Sequence, residues 1–552
     1  MKNDDGSERP VGSFATPTHE SVEAAALADA HRSEGELPGT GPTPPGRRGN
    51  PLRTVLRGGA WNTFGQLVPI VINVILTPYV ISGFGTTRFG AYLVVVSLST
   101  FLGSFDGGIG ASAGRYFAVY AGTGDRKSAT RLLTTLSGVV ILLGAALVGI
   151  LFAVSSLVFR IFDLSGPLLG EAMFLLRVLG GIVGFSLLRN LFVGQLRAHN
   201  RYALPNITNT LAYFVYAFGL YLSVRLDAGL RGMALTFVAQ SVLSAVVLIP
   251  ASLRYLDRSG FGLLSWTETK EFLSYSLRVQ SVGLSNLVSS QIDTYVVGAF
   301  LGVQQVTYYG TGSNFAFQLR SIPLNAVAPI QTVVSRAFGA GGDEQAIREF
   351  IPLQRLWVRG VAGWSAAGLG AAYFGMTSWL GPEFTAAGVV AVVLVFSNMV
   401  NLWTANLTVL LQSTYRAGLE LRYSLTDTLS NIALTIPLVA FFGLYGTVAA
   451  SGIAQVGASL YLLRLVRTRW TTIPSFLREV PVVATVLTTA VTVGCELLAR
   501  PIVPQGALGL LTCGALAAPG LLLYAGMVFG WRQSWHQVTR VVGSRLRRGT
   551  AA

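Results

Sequence analysis

Most of the chain consists of apolar runs long enough to carry a helix across a hydrocarbon core, which takes about 17 to 25 residues. They fall near residues 57–81, 87–112, 132–159, 172–196, 205–225 and 230–252. After a polar stretch at 253–270 they resume near 277–300, 304–335, 356–380, 386–412, 424–442 and 445–466, and two more lie near 480–499 and 506–530. The pattern predicts an all-α, polytopic membrane protein of about 14 transmembrane helices. Polar residues inside the runs keep to one side. Ser281, Ser285, Ser289 and Asp293 recur every fourth residue, so one helix face is polar and ends in a carboxylate. A carboxylate at that depth requires a cavity or a partner rather than lipid.

The runs also repeat. Gly85 to Tyr92 (GTTRFGAY) is echoed by Gly302 to Tyr309 (GVQQVTYY), 217 positions on, and Gln195 by Gln412 at the same separation. GLRGMALTFVAQS, from Gly229, is similar to GLYGTVAASGIAQV, from Gly443, 214 positions on. One spacing shared by several marks predicts a duplicated six-helix unit. Parallel six-span repeats are related by an axis along the membrane normal and enclose a cavity between them. The expected organisation is a disordered tail at 1–52, six-helix bundles at 53–260 and 261–470, two additional helices at 471–530 and a basic tail at 531–552.

Composition agrees: 51% of residues are hydrophobic and only 12% charged. The net charge of +15 does not point to nucleic acid, because the Lys and Arg residues alternate between loops as the positive-inside rule requires. Arg47–Arg57, Arg115–Arg131, Arg189–Arg201, Arg254–Arg278, Arg336–Arg359, Arg416–Arg422, Arg464–Arg478 and Arg532–Arg548 mark one side. Arg88, Arg160, Arg225, Arg231 and Arg500 are all that the other side offers. Both termini are therefore expected in the cytoplasm. The start of the chain lacks the basic and apolar regions of a cleavable signal peptide. Cys495 and Cys513 lie inside apolar runs and the four histidines are scattered, so no metal, cofactor or histidine-based active site is expected.

The stretch FGAYLVVVSLSTFLGSFDGGIGASAGRYFA (89–118), the Gln291-Ile-Asp293 run followed by GAFLGVQQVTYYG, and the fourteen-span layout resemble the polysaccharide or O-antigen flippase family. That family belongs to the multidrug/oligosaccharidyl-lipid/polysaccharide exporter superfamily. The resemblance covers roughly residues 55–530. It implies a transporter of the bacterial plasma membrane that moves an undecaprenyl-diphosphate-linked oligosaccharide from the cytoplasmic to the outer leaflet by alternating access.

Such a substrate calls for hydrogen-bonding and cationic groups inside the bilayer. Asn62, Gln66, Asn73 and Thr77 share one face of the first span, and Asn314, Gln318, Ser321 and Asn325 form a stripe in the eighth. These stripes either line a cavity or join helix to helix. Arg320, near the centre of the eighth span, is read as a ligand for phosphate or acidic sugar or as the ion-pair partner of a carboxylate such as Asp293. Asp293 is read as a proton or Na⁺ coupling site or as a paired structural carboxylate. Arg177 is expected to snorkel toward the outer surface, and Asp106, matching a family DxG-like mark, to organise the inner gate. Asp427 and Asn431, one turn apart, are further candidates. Membrane lipids and polysaccharide-assembly enzymes are the expected partners, and Arg532 to Arg548 could meet anionic lipid. Two other readings compete: a drug/cation antiporter of the same fold, and a membrane polymerase or glycosyltransferase. No predicted outer loop is long enough, or contains the histidine, to favour the enzyme.

Overall fold

The computed structural model describes residues 51–530 apart from Gly107, Asp163, Ser165, Asn200, Tyr202, Asn325, Ala326 and Tyr415. The two tails, but for Pro51 and Leu52, lie outside the described residues, as does Asn325; so do the side chains of Asn62, Gln66, Ser281, Ser285 and Ser289. Among the described residues there is no strand. The helices are α1 Pro51–Gly103, α2 Ile109–Thr123, α3 Arg126–Ile161, α4 Gly166–Ala198, α5 Ala203–Arg225, α6 Gly229–Leu253, α7 Trp266–Leu301, α8 Val303–Leu324, α9 Val327–Leu380, α10 Thr385–Ser413, α11 Ala417–Arg469, α12 Val482–Ala499, α13 Ala507–Leu516 and α14 Ala518–Ala525. Nine helices among the described residues are long and apolar enough to cross a membrane, by length and composition. α1, α9 and α11 each contain a break, at Gly85, at Gly341 and Gly342, and at Gly443. With these divided, a helical segment stands at each of the fourteen predicted runs.

Two runs are shorter than their hydropathy suggests. The run at 87–112 splits where α1 ends at Gly103 and α2 begins at Ile109. Asp106 accounts for the split: its Oδ1 accepts the Gly108 N–H at 2.8 Å and its Oδ2 the Gly110 N–H at 3.4 Å, capping α2. The run at 304–335 divides between α8 and α9; Pro329 sits in the first turn of α9, where a missing N–H costs nothing. α7 starts earlier than its apolar run, at a capping box in which Ser265 and Glu268 satisfy each other's backbone N–H groups.

The duplication is written in the backbone. Gly85 (φ 80°, ψ 165°) and Gly302 (φ 84°, ψ 165°) turn the chain in the same conformation. Gly229 (φ 56°) and Gly443 (φ 58°) form the second such pair. Only glycine enters this region without strain, which costs other L-residues roughly 1–3 kcal/mol. The remaining turns follow suit, Gly124 with Gly342 and Gly166 with Gly381 also having positive φ.

These turns place the core. Near Gly85, Gly166, Gly229, Gly302, Gly381 and Gly443, one continuous cluster joins the first half of the chain (α1–α6) to the second (α7–α11), from Val80 and Phe84 through Leu175 and Leu230 to Val306, Phe384 and Leu444. At the opposite, arginine-rich face the core divides. Phe117, Leu132 and Leu191 of α2, α3 and α4 form one cluster with Phe272 of α7, and Phe350, Leu410 and Leu462 of α9, α10 and α11 form another. α12, α13 and α14 pack on α9. Leu142, Phe218 and Phe441 are among many large apolar side chains left exposed on the outside, where lipid would meet them.

Candidate functional site

Two hairpins aim their side chains at one point. Asp293 lies nine residues before the turn at Gly302 and Tyr309 seven after it, so both stand at about the same depth, roughly 12 Å along the helices at 1.5 Å per residue. Thr435 and Ser451 flank Gly443 eight residues to either side and reach that depth from α11. Tyr309 donates its hydroxyl to Asp293 Oδ2 at 2.7 Å and Ser451 donates to the same oxygen at 2.6 Å, while Thr435 donates to Oδ1 at 3.4 Å. Asn431 Oδ1, one turn from Thr435, lies 3.3 Å from that hydroxyl and shares its one proton with Asp293. All five side chains are buried, Asp293 at 5% exposure. Thr447, one turn from Ser451, is fully buried and its hydroxyl has no partner among the described residues.

No Lys, Arg or His lies within 4 Å of the Asp293 carboxylate among the described residues. An isolated buried carboxylate is costly unless it is neutralised. Neutral hydroxyl and amide partners leave it two ways to be neutral: to hold a proton or to coordinate a small cation beside the hydroxyl oxygens. Among the described residues no three His, Cys, Asp or Glu side chains gather as a metal-binding group, so any cation here would be held by one carboxylate and neutral oxygens, the ligand chemistry of alkali cations rather than of transition metals.

Arg320 sits eleven residues beyond Tyr309 on α8, about 16 Å deeper, and does not pair with Asp293. Its Nη2 donates to Asn401 Oδ1 of α10 at 2.8 Å, and Asn401 Nδ2 donates onward to Tyr423 at 2.9 Å and Ser459 at 3.4 Å, both on α11. Asp427, one turn from Tyr423, interacts with Arg320 electrostatically. The Nε of Arg320 is buried with no partner among the described residues. Asn314 is exposed and Gln318 half-buried, their amides 3.5 Å apart on the same helix. Asn73 is half-buried on α1. Arg177 is exposed on α4.

Several bonds cross between the halves. Thr307 of α8 donates to the Thr86 carbonyl at 2.6 Å, and Trp379 Nε1 of α9 to the Val74 carbonyl at 2.7 Å. Gly90 lies so close to the Val303 carbonyl that a Cβ would collide with it. Further in, Ser97 donates to Gln291 Oε1 at 2.5 Å. At the loop that Asp106 caps, Gln280 Nε2 donates to the Ser104 carbonyl, and Gly108 rests against the Ser276 carbonyl of α7.

Sequence reasoning singled out Asp293 and Arg320, and with them Asn431 and Asp427, but missed their other partners. Tyr309 was visible only as a mark of the repeat, and Thr435, Ser451 and Asn401 not at all. Asn398 and Asn401, one turn apart in an apolar run, were the available signal: Asn398 Oδ1 accepts from Gln455 at 3.1 Å, extending the same polar seam.

Residues 55–335 match a protein family described as "Polysaccharide biosynthesis protein". A Shigella flexneri protein named "Putative O-antigen transporter" is 20% identical over 279 residues, which is 49% of this chain and 64% of that protein; the chain thus spans less than two-thirds of this curated relative. Among solved structures, the lipid II flippase MurJ in an inward closed conformation superposes with a TM-score of 0.65 at 14% identity, over 86% of this chain and 99% of its own. An inward-facing multidrug resistance MATE family transporter of the MOP superfamily gives a TM-score of 0.58 at 16% identity, over 74% and 95%. At these identities the likeness to the solved structures is one of fold.

Proposed function

This chain belongs to the polysaccharide biosynthesis protein family, and from that premise we propose that it flips an undecaprenyl-diphosphate-linked oligosaccharide from the cytoplasmic to the outer leaflet of a bacterial plasma membrane. The observation that carries the reading is the core, continuous between the halves at the glycine-turn face and split at the arginine-rich face into a cluster of α2–α4 with α7 and a cluster of α9–α11. Positive-inside counting makes the arginine-rich face cytoplasmic, with both termini on that side. A cleft between α2–α4 with the start of α7 on one side and α9–α11 on the other then opens toward the leaflet where the lipid-linked sugar is assembled, and rocking of one bundle against the other moves the opening across.

In this reading Arg320 meets the diphosphate once the cavity opens onto its buried, unpartnered Nε edge, and Asn314, Gln318, Asn325, Asn62, Gln66 and Asn73 offer amides to the sugar. Asp106 holds the inner gate loop against α7. The Asp293 pocket takes up the coupling H⁺ or Na⁺ and releases it when the hairpins at Gly302 and Gly443 part. Polysaccharide-assembly enzymes would supply and receive the substrate.

The test is leaflet-resolved translocation of a lipid-linked oligosaccharide in reconstituted vesicles at equal protein insertion. Wild type moves the lipid. Arg320→Ala slows it by about 10- to 100-fold, the worth of a hydrogen bond to a charged group, and Asp293→Asn removes the response to a H⁺ or Na⁺ gradient. A wild type that moves no lipid-linked sugar but exchanges organic cations for protons would replace the flippase with the antiporter.

A further inference from the structure

The arginines of the basic face are not equivalent. Arg355 and Arg359 both reach Glu479 at 3.2 Å, and Arg416 reaches Asp343 at 2.9 Å. Arg464 and Arg467, one turn apart at the end of α11, have no carboxylate within 4 Å among the described residues. They line a cleft of about 450 Å³ together with Leu460, Thr471, Ser475 and Leu477. Like charges at this spacing repel, and Glu479, the acid of the adjoining loop, is already taken. Thr468 spends its hydroxyl on the Leu465 carbonyl, but those of Thr471 and Ser475 have no protein partner among the described residues. The cleft therefore presents two unneutralised guanidinium groups and two available hydroxyls, and nothing negative.

Its far wall is fixed. The loop after α11 is pinned by buried Trp470, Ile473 and Phe476, and Trp470 donates to Asp343 at 3.0 Å. The approach is apolar: Ile453 and Leu460, seven residues apart and so on one helix face, are 57% and 44% exposed, and Arg467 continues the same line. From mid-membrane outward this face reads alkyl, alkyl, cation, hydroxyl, the order of groups that complements an acyl chain followed by a phosphate.

We propose that this cleft binds the headgroup of an anionic phospholipid, with the phosphate on Arg464 and Arg467, the glycerol-side oxygens on Thr471 and Ser475, and an acyl chain along Leu460 and Ile453. The site rests on neither the substrate nor the direction of transport. Basic pockets at the ends of transmembrane helices hold such headgroups at a worth that corresponds to about five-fold in affinity per arginine.

The full chain, purified in detergent and titrated with phosphatidylglycerol or phosphatidylcholine under native mass spectrometry, tests this. Wild type retains phosphatidylglycerol in preference to phosphatidylcholine, more weakly as salt rises. Arg464→Gln with Arg467→Gln loses about 25-fold in phosphatidylglycerol affinity. The charge-keeping pair Arg464→Lys with Arg467→Lys retains binding, which separates loss of charge from loss of fold. Arg336→Gln with Arg422→Gln, exposed on the same face but outside the cleft, leaves binding unchanged. Equal retention of the two lipids, or full binding by the Gln pair, would overturn the proposal. So would displacement by millimolar inorganic phosphate, which would mark a site for a soluble anion.

Discussion

The hairpins at Gly85 and Gly302 share a backbone and differ in what they hold. Nine residues before Gly302 stands Asp293, and nine before Gly85 stands Leu76, packed against the common core. Seven residues after each turn is a tyrosine. Tyr309 gives its hydroxyl to Asp293, whereas Tyr92 meets the Tyr216 hydroxyl at 3.3 Å and lies 6.4 Å from the ring of Phe237, which is 5.2 Å from that of Tyr216. One duplicated frame thus carries an ionisable pocket in its second half and an aromatic plug in its first. A tyrosine at a given place in this frame takes its role from the residue across the hairpin, so ion chemistry can be confined to one half without altering the architecture of either.

Making the second hairpin resemble the first has the largest expected effect. Asp293→Leu copies Leu76 and is expected to abolish the response of transport to a H⁺ or Na⁺ gradient. It keeps the fold but should lower stability by about 1–3 kcal/mol, because the buried hydroxyls of Tyr309, Ser451 and Thr435 lose their acceptor. Transport with and without an imposed gradient, alongside thermal unfolding in detergent, measures both. The paired tyrosines come next. Tyr309→Phe removes one hydrogen bond to a charged group, about 1.5–3 kcal/mol, and should shift the apparent affinity for the coupling ion at least ten-fold. Tyr92→Phe should leave that affinity unchanged; a ten-fold shift from both would erase the distinction between the halves. The smallest effect sharpens the likeness instead. A Cβ at Gly85 or at Gly302 meets nothing within 4 Å, so Gly85→Ala and Gly302→Ala should each cost only the backbone strain, about 1–3 kcal/mol, and by equal amounts in chemical denaturation.

Much of this frame is legible in residue order. The fourteen runs are local hydropathy, and Gly85 with Gly302 and Gly229 with Gly443 reveal the duplication because a turn of that conformation accepts no other residue cheaply. The family resemblance read from residues 89–118 and 291–310 agrees with the family match at 55–335. Asp293 could be found because it ends a polar stripe. Its donors could not, since Thr435 and Ser451 reach it from a hairpin more than a hundred residues away. Whether Arg320 pairs with a carboxylate such as Asp293 or meets a ligand stays open in the sequence for a related reason: a helical projection reports angle but not depth, and about 16 Å of helix separates Arg320 from the level of Asp293. The split at Asp106 was hidden because a side-chain cap interrupts a helix without interrupting its hydropathy.

Trp379 donates across the seam to the Val74 carbonyl, whereas the indoles of Trp357, Trp364 and Trp470 bond to Leu402, Leu319 and Asp343 within the second half. Parting the halves at the glycine-turn face exchanges one indole partner, that of Trp379, for water and leaves these three as they were. In a variant whose other eight tryptophans are replaced, the emission colour of Trp379 would therefore report whether the seam is shut, with no attached dye.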